Sequence, residues 1–140
     1  MNFSILTLVI AVIIVGILIF VAILLTQKKS YSFDMMEYQT DFLAIENSLV
    51  RENPLSFNAA VVEADKLLDK ALCEMGVPGK TMGERLKNIG NSKFTQLNSV
   101  WHAHKLRNQI AHEPRFTLEY VQAKRALASY KQALKDLGAI

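Results

Sequence analysis

An unbroken apolar run opens the chain and gives way to amphipathic periodicity. The first 27 residues carry no charged side chain, and between Ile5 and Leu25 only Thr7, Gly16 and two alanines are not strongly apolar. As a helix, Phe3 to Thr26 would extend about 36 Å at about 1.5 Å per residue, against about 30 Å of bilayer hydrocarbon. The run reads as a membrane anchor. A cleaved signal peptide would need a basic n-region and a small-residue cleavage site, and neither is present in the sequence.

Beyond a short polar linker the period becomes helical. Met35, Tyr38, Phe42, Ile45 and Leu49 recur at helical spacing from a start near Asp34 to a stop at Asn53-Pro54. Ala60, Val61, Ala64, Leu67, Leu68, Ala71, Leu72 and Met75 mark the apolar face of a second helix, from about Ser56 to Met75, which Gly76 terminates. Thr81-Met82-Gly83-Glu84 has the form of a capping box and predicts a short helix through Leu86 and Ile89, ended by Gly90-Asn91. A long helix is expected from Ser92 or Lys93 to His112, with Phe94, Leu97, Val100, Trp101 and Ile110 as its apolar positions and Pro114 as its limit. Thr117 is the expected cap of a last helix that carries Leu118, Val121, Leu127, Tyr130, Leu134 and Leu137 to Gly138.

No alternating β-branched run is bounded by turn signals, so no strand is expected. The fold class is therefore all-α: one N-terminal transmembrane helix, then a bundle of four longer helices and one short one. The expected organisation is an anchor over 1–27, a linker over 28–33 and a helical domain over 34–140. Roughly 110 soluble residues suffice for one core.

Charge adds direction. Lys28 and Lys29 follow the span with no Lys or Arg before it, which places the domain on the cytoplasmic side and the N-terminus outside. Lys28 to Glu74 holds 5 basic and 9 acidic residues, and Lys80 to Ile140 holds 11 basic and 4 acidic. A basic half suits an anionic partner, nucleic acid or lipid headgroups, or is a solvated face. Lys124, Arg125, Lys131 and Lys135 have the same two readings. The single Cys73 forms no internal disulfide and, in an apolar helical stretch, is expected to be buried.

Candidate chemistry is concentrated in Arg107-Asn108-Gln109-Ile110-Ala111-His112. A guanidinium holds a phosphate in a planar fork, and an imidazole exchanges a proton near neutrality. Together they suffice for metal-independent phosphodiester cleavage. The plainer reading is that Arg107 pairs with Glu113 or an acid on another helix while His112 complements the helix dipole. His102 and His104, two residues apart on a helix, point away from each other, and His104 with Asn108 and His112 lacks acidic or thiolate partners, so no metal site and no cofactor is expected. Trp101 is read as core packing, with a base-stacking surface as the alternative.

The motif resembles the R-N-x-x-x-H form found in HEPN domains (higher eukaryotes and prokaryotes nucleotide-binding). The resemblance extends from about Glu52 to Leu137: Ala60 to Met75 looks like the family's long helix before the motif helix, Thr81 to Leu86 like its short connecting helix, and Trp101 to Pro114 like its motif helix end. It implies a helical bundle that dimerises through the helix 93–112 face so that two motifs share a cleft, and in many members a metal-independent endoribonuclease. Under that resemblance Arg107 holds the scissile phosphate, His112 is general base or acid, Asn108 orients His112 or binds phosphate, and His104, Lys105 and Arg115 contact substrate. RNA and a second copy are the partners that the resemblance implies; it does not cover the anchor, and the membrane, through residues 3–26, is the partner expected from the apolar run. A membrane-tethered nuclease also needs control, which leaves room for an inhibitor protein. Other members have lost catalysis and serve as dimerisation or nucleotide- or protein-binding modules, the second reading here. A one-span structural or filament subunit is the third, and it leaves the motif unexplained.

Overall fold

The computed structural model of the chain describes residues 3–26, 32–90 and 92–140. Lys28, Lys29 and most of the expected linker lie outside these residues, as does Asn91. The described chain contains six helices and falls into two compact units, one up to Ser30 and one from Tyr31 to Ile140.

The first unit is α1, Phe3–Thr26. Its stretch Ile5–Leu24 has a mean hydropathy of 3.4 and no buried residue. A core helix of a water-soluble fold would hide such a surface, because exposing apolar area costs roughly 25 cal/mol per Å². α1 is long and apolar enough to cross a bilayer.

The second unit is an all-α bundle of α2 (Met35–Ser48), α3 (Pro54–Glu74), α4 (Met82–Asn88), α5 (Leu97–His112) and α6 (Tyr120–Leu137). α3 is its centre, packing against α2, α4, α5 and α6. The expected apolar face of α3 is the buried one: Val61, Ala64, Leu68, Ala71 and Leu72 are fully enclosed. Against it lie Tyr38 and Phe42 from α2, Leu86 from α4, Val100 from α5 and Tyr130 and Leu134 from α6. Each such side chain contributes about 1.5–3 kcal/mol on burial.

Helix boundaries follow local hydrogen bonding. Asn53 accepts from the Leu55 N–H and Pro54 occupies the first turn of α3, so the dipeptide that stops α2 also starts α3. Thr81 Oγ1 accepts from the Glu84 N–H at 3.2 Å, while the Glu84 carboxylate reaches the Lys80 N–H at 2.6 Å. Two starts fall later than expected. α5 begins at Leu97 rather than Ser92 or Lys93, because Thr95 gives both its N–H and its hydroxyl to the Asp136 carboxylate, at 2.7 and 2.8 Å. That clamp holds residues 92–96 as turns, with Phe94 still buried. α6 begins at Tyr120, not after Thr117, since Gln122 Oε1 accepts from the Glu119 N–H at 3.0 Å and fixes the cap there. The same Thr95–Asp136 clamp joins the start of α5 to the end of α6, so the two helices run antiparallel.

Candidate functional site

Asp65 stands on the otherwise apolar face of α3, between Val61 and Leu68, with its side chain 4% exposed. Such a position demands partners, because an unpaired buried carboxylate would cost several kcal/mol. It has three. Oδ1 is 2.7 Å from His104 Nδ1 and accepts from the Tyr130 hydroxyl at 2.9 Å, and Oδ2 faces Arg107 Nε at 3.4 Å. The last is an ion-pair distance; Nε makes no hydrogen bond. Burial first, then the charge of Asp65 and the hydrogen bond to it, push the Tyr130 phenol far above its ordinary value of 10.0, so it stays a donor.

This network places Arg107. Its inner edge is held from α3, and its Nη1 donates to Asn108 Oδ1 at 3.2 Å. The side chain is 31% exposed, so part of the guanidinium reaches solvent. The acid expected on another helix is thus Asp65, and Glu113 instead receives a long 3.5 Å contact from Gln109. Asn108, which the motif allowed as an orienter of His112, binds Arg107.

His104 does not stand at the edge of a cleft. It is 8% exposed and turned inward against Asp65, with Trp101 edge-on at 6.1 Å between ring centroids. Gly83 on α4 faces the imidazole Nε2, where an added methyl group would sit at an ordinary contact distance of 3.5 Å. Lys105 and Arg115 are exposed.

His112 ends α5 in the open. It lines a shallow concavity with Glu113, Pro114, Arg115, Phe116 and Thr117, where the chain turns from α5 toward α6. Five residues separate it from Arg107, which at about 100° per residue turns the two side chains about 140° apart around the helix. No contact joins them among the described residues. The arrangement is a guanidinium held from behind on one side of the helix end and a free imidazole beside a second guanidinium on another.

Two network members, Asp65 and Tyr130, were not among the expected site residues. The signal for Asp65 is in the sequence: an acid at an apolar position of a strongly amphipathic helix, which burial makes costly unless something pairs it. Tyr130 carries no such signal, since a tyrosine between Leu127 and Leu134 reads simply as core. Cys73, expected inside, is exposed on the outer side of α3, one position past the buried Leu72. Lys131 is engaged with Glu46 at 2.8 Å and lies over the Phe42 ring, while Lys124, Arg125 and Lys135 are exposed. Among the described residues no group of three His, Cys, Asp or Glu side chains could hold a metal ion. No family model, curated protein or solved structure matches this chain.

Proposed function

We propose that this chain is a membrane-anchored, HEPN-like module that cuts RNA without a metal, as a homodimer, through Arg107, Asn108 and His112. The observation that carries the reading is the division of labour on α5: Arg107 is fixed from within by Asp65, and His112 is left free beside Arg115. A guanidinium held this way keeps its outer N–H groups for a phosphate and loses little entropy on binding. The length and apolar surface of α1 support a membrane anchor, and the Lys28-Lys29 pair after it supports a cytoplasm-facing bundle.

The chemistry needs two proton transfers. A base takes the proton of the ribose 2′-hydroxyl as that oxygen attacks phosphorus, and an acid protonates the departing 5′-oxygen. The P–O5′ bond breaks, leaving a 2′,3′-cyclic phosphate and a 5′-hydroxyl. Imidazoles exist in both forms near neutrality, so His112 from each of two copies supplies one base and one acid. Arg107, assisted by Arg115, offsets the charge that grows on the phosphoryl oxygens. Because Arg107 and His112 point apart within one chain, packing two copies along the helix 93–112 face is what brings a guanidinium and imidazoles to one cleft.

A second reading has its own support. Arg107 is paired inside the chain with Asp65 and Asn108, which a non-catalytic dimerisation or binding module would also show. The two are separated by incubating the full chain, in detergent micelles with EDTA, with end-labelled RNA beside its His112→Ala variant. Cleavage by the wild type, with cyclic phosphate ends and a rate about 10²–10⁴-fold above the variant, is expected from loss of one acid–base group. Equal cleavage by the variant sinks the catalytic assignment, and no cleavage of any RNA by the wild type leaves the binding module.

A further inference from the structure

On the outward side of α5, Asn98, His102, Lys105, Gln109 and His112 follow one another at steps of 4, 3, 4 and 3 residues and so form one row. Beside the N-terminal part of that row runs a furrow between α5 and α6. Asn98, Ser99 and His102 form one wall, Arg125 and Ser129 the other, and the buried small residues Ala103 and Ala126 the floor. It encloses about 270 Å³. The two alanines explain the furrow: with no bulk at the crossing, the flanking long side chains stand up on either side.

The furrow is chemically one-sided. Its lining has two groups able to carry positive charge, His102 and Arg125, an amide and two hydroxyls, and no carboxylate. Arg125 and Lys105 have no acidic partner among the described residues. Ser129 gives its hydroxyl proton to the Arg125 carbonyl at 3.0 Å, so in the furrow it presents lone pairs, and the donors facing a ligand are His102, Asn98, Ser99 and Arg125. Three other surface concavities differ. The one on α2 and α3 includes Asp41 and Glu63, the one between α2 and α6 includes Glu46, and the one at the helix turn includes Glu113.

From this we infer that the α5–α6 furrow is a binding track for the sugar–phosphate backbone of single-stranded RNA, leading along the α5 row toward His112. The inference rests on the RNA-cleaving reading above and adds to it the residues that hold the strand away from the cut. From His102 to His112 the row extends about 15 Å at about 1.5 Å per residue, enough for several consecutive phosphates. No Phe, Tyr or Trp lines the furrow, so recognition there is mainly of charge and backbone, weakly sensitive to base and sensitive to salt.

The test measures anisotropy of a fluorescent single-stranded RNA on the full chain in detergent micelles, in the His112→Ala background so that no strand is cut. Arg125→Glu is expected to weaken binding about tenfold or more, Arg125→Gln to lower the salt slope by about one, and His102→Ala to weaken binding by loss of a hydrogen-bond donor. Lys66→Glu, on the far α2–α3 side, serves as the control and leaves binding unchanged; circular dichroism checks each variant's fold. Equal loss in Lys66→Glu means diffuse attraction and overturns the track. So does unchanged RNA binding in Arg125→Glu, or an effect of Arg125→Glu only on micelles doped with anionic lipid; neither outcome touches the cleavage reading. Absence of RNA binding by the His112→Ala chain, together with absence of cleavage by the wild type, overturns both.

Discussion

Asp65 Oδ2 lies 3.4 Å from Arg107 Nε, linking the middle of the central helix to the first residue of the motif. The carboxylate also lies 2.7 Å from His104 Nδ1 and accepts a hydrogen bond from the Tyr130 hydroxyl, so one acid ties together α5 and α6. Removing one member of a buried charged pair costs about 3–5 kcal/mol, because the remaining groups lose their partner. Asp65→Ala is therefore expected to lower unfolding stability by that amount. Trp101, the only tryptophan and in contact with His104, reports the transition by fluorescence in urea. A loss below about 1 kcal/mol would mean that the network is far looser than its distances imply.

Tyr130 makes the same network sensitive to alkali. Burial, followed by the Asp65 charge, raises its phenol above the ordinary 10.0 in the folded chain. The unfolded chain then releases this proton first as pH rises. The tyrosine's contribution is whole below pH about 10 and is lost as pH climbs from there toward the raised folded value. Tyr130→Phe should flatten the alkaline limb of the thermal midpoint between pH 8 and 12, while costing about 1.5–3 kcal/mol at neutral pH for a lost bond to a charged acceptor. Identical alkaline limbs in the two proteins would remove Asp65 as the phenol's partner.

Asp136 gives the acid side. Burial raises its pKa, but bonds from the Thr95 N–H, the Gln132 amide and the Thr95 hydroxyl outweigh this, and the net shift is down from 3.8. A lowered folded value means that its stabilisation is present above the unfolded pKa and disappears as pH falls through the folded one. Asp136→Asn should thus lower the thermal midpoint near neutrality and make it less steep below pH about 4. The same variant keeps only one of the two acceptor oxygens and so gives up either the Thr95 bonds or the Gln132 bond, and an unchanged midpoint at pH 7 would show that neither holds the ends of α5 and α6.

Much of this was legible in residue order, and what was not has physical causes. The long apolar helix α1 and the five bundle helices follow from hydrophobic pattern, and the Asn53-Pro54 and Thr81–Glu84 signals are local chemistry that acts where it is written. The starts of α5 and α6 are different. Thr95 meets Asp136 across 41 residues, and no local window contains that bond. Asp65 was visible as an oddity, an acid on an apolar face, but its partners come from 39, 42 and 65 positions away. The inward turn of His104 follows from Asp65, which the motif does not contain.

Gly79 tests a turn rather than a site. Its φ is +148°, and a Cβ there would lie 2.8 Å from the Arg85 backbone nitrogen and 2.9 Å from Glu84 Cβ. Backbone on one side and the capped first turn of α4 on the other leave nothing able to move cheaply. Gly79→Ala is expected to cost about 1–3 kcal/mol, seen as a lower urea midpoint by Trp101 fluorescence. A neutral substitution would show that the approach of residues 79 and 85 is easily relaxed.

Asn108 separates fold from function at the motif itself. Its Oδ1 accepts from Arg107 Nη1 at 3.2 Å. Asn108→Asp keeps that acceptor in nearly the same volume and converts the bond into a charge-assisted one, so stability should hold or rise by about 1 kcal/mol. The added negative charge sits where the proposed phosphate must approach Arg107, and like-charge placement there opposes binding. RNA affinity should fall about tenfold or more and cleavage with it, while Asn108→Ala lowers both stability and cleavage mildly. The pair is read by urea unfolding and by RNA cleavage on the same preparations. If Asn108→Asp binds and cuts RNA like the wild type, the phosphate does not sit at the Arg107 edge, and the guanidinium belongs to the architecture of the bundle alone.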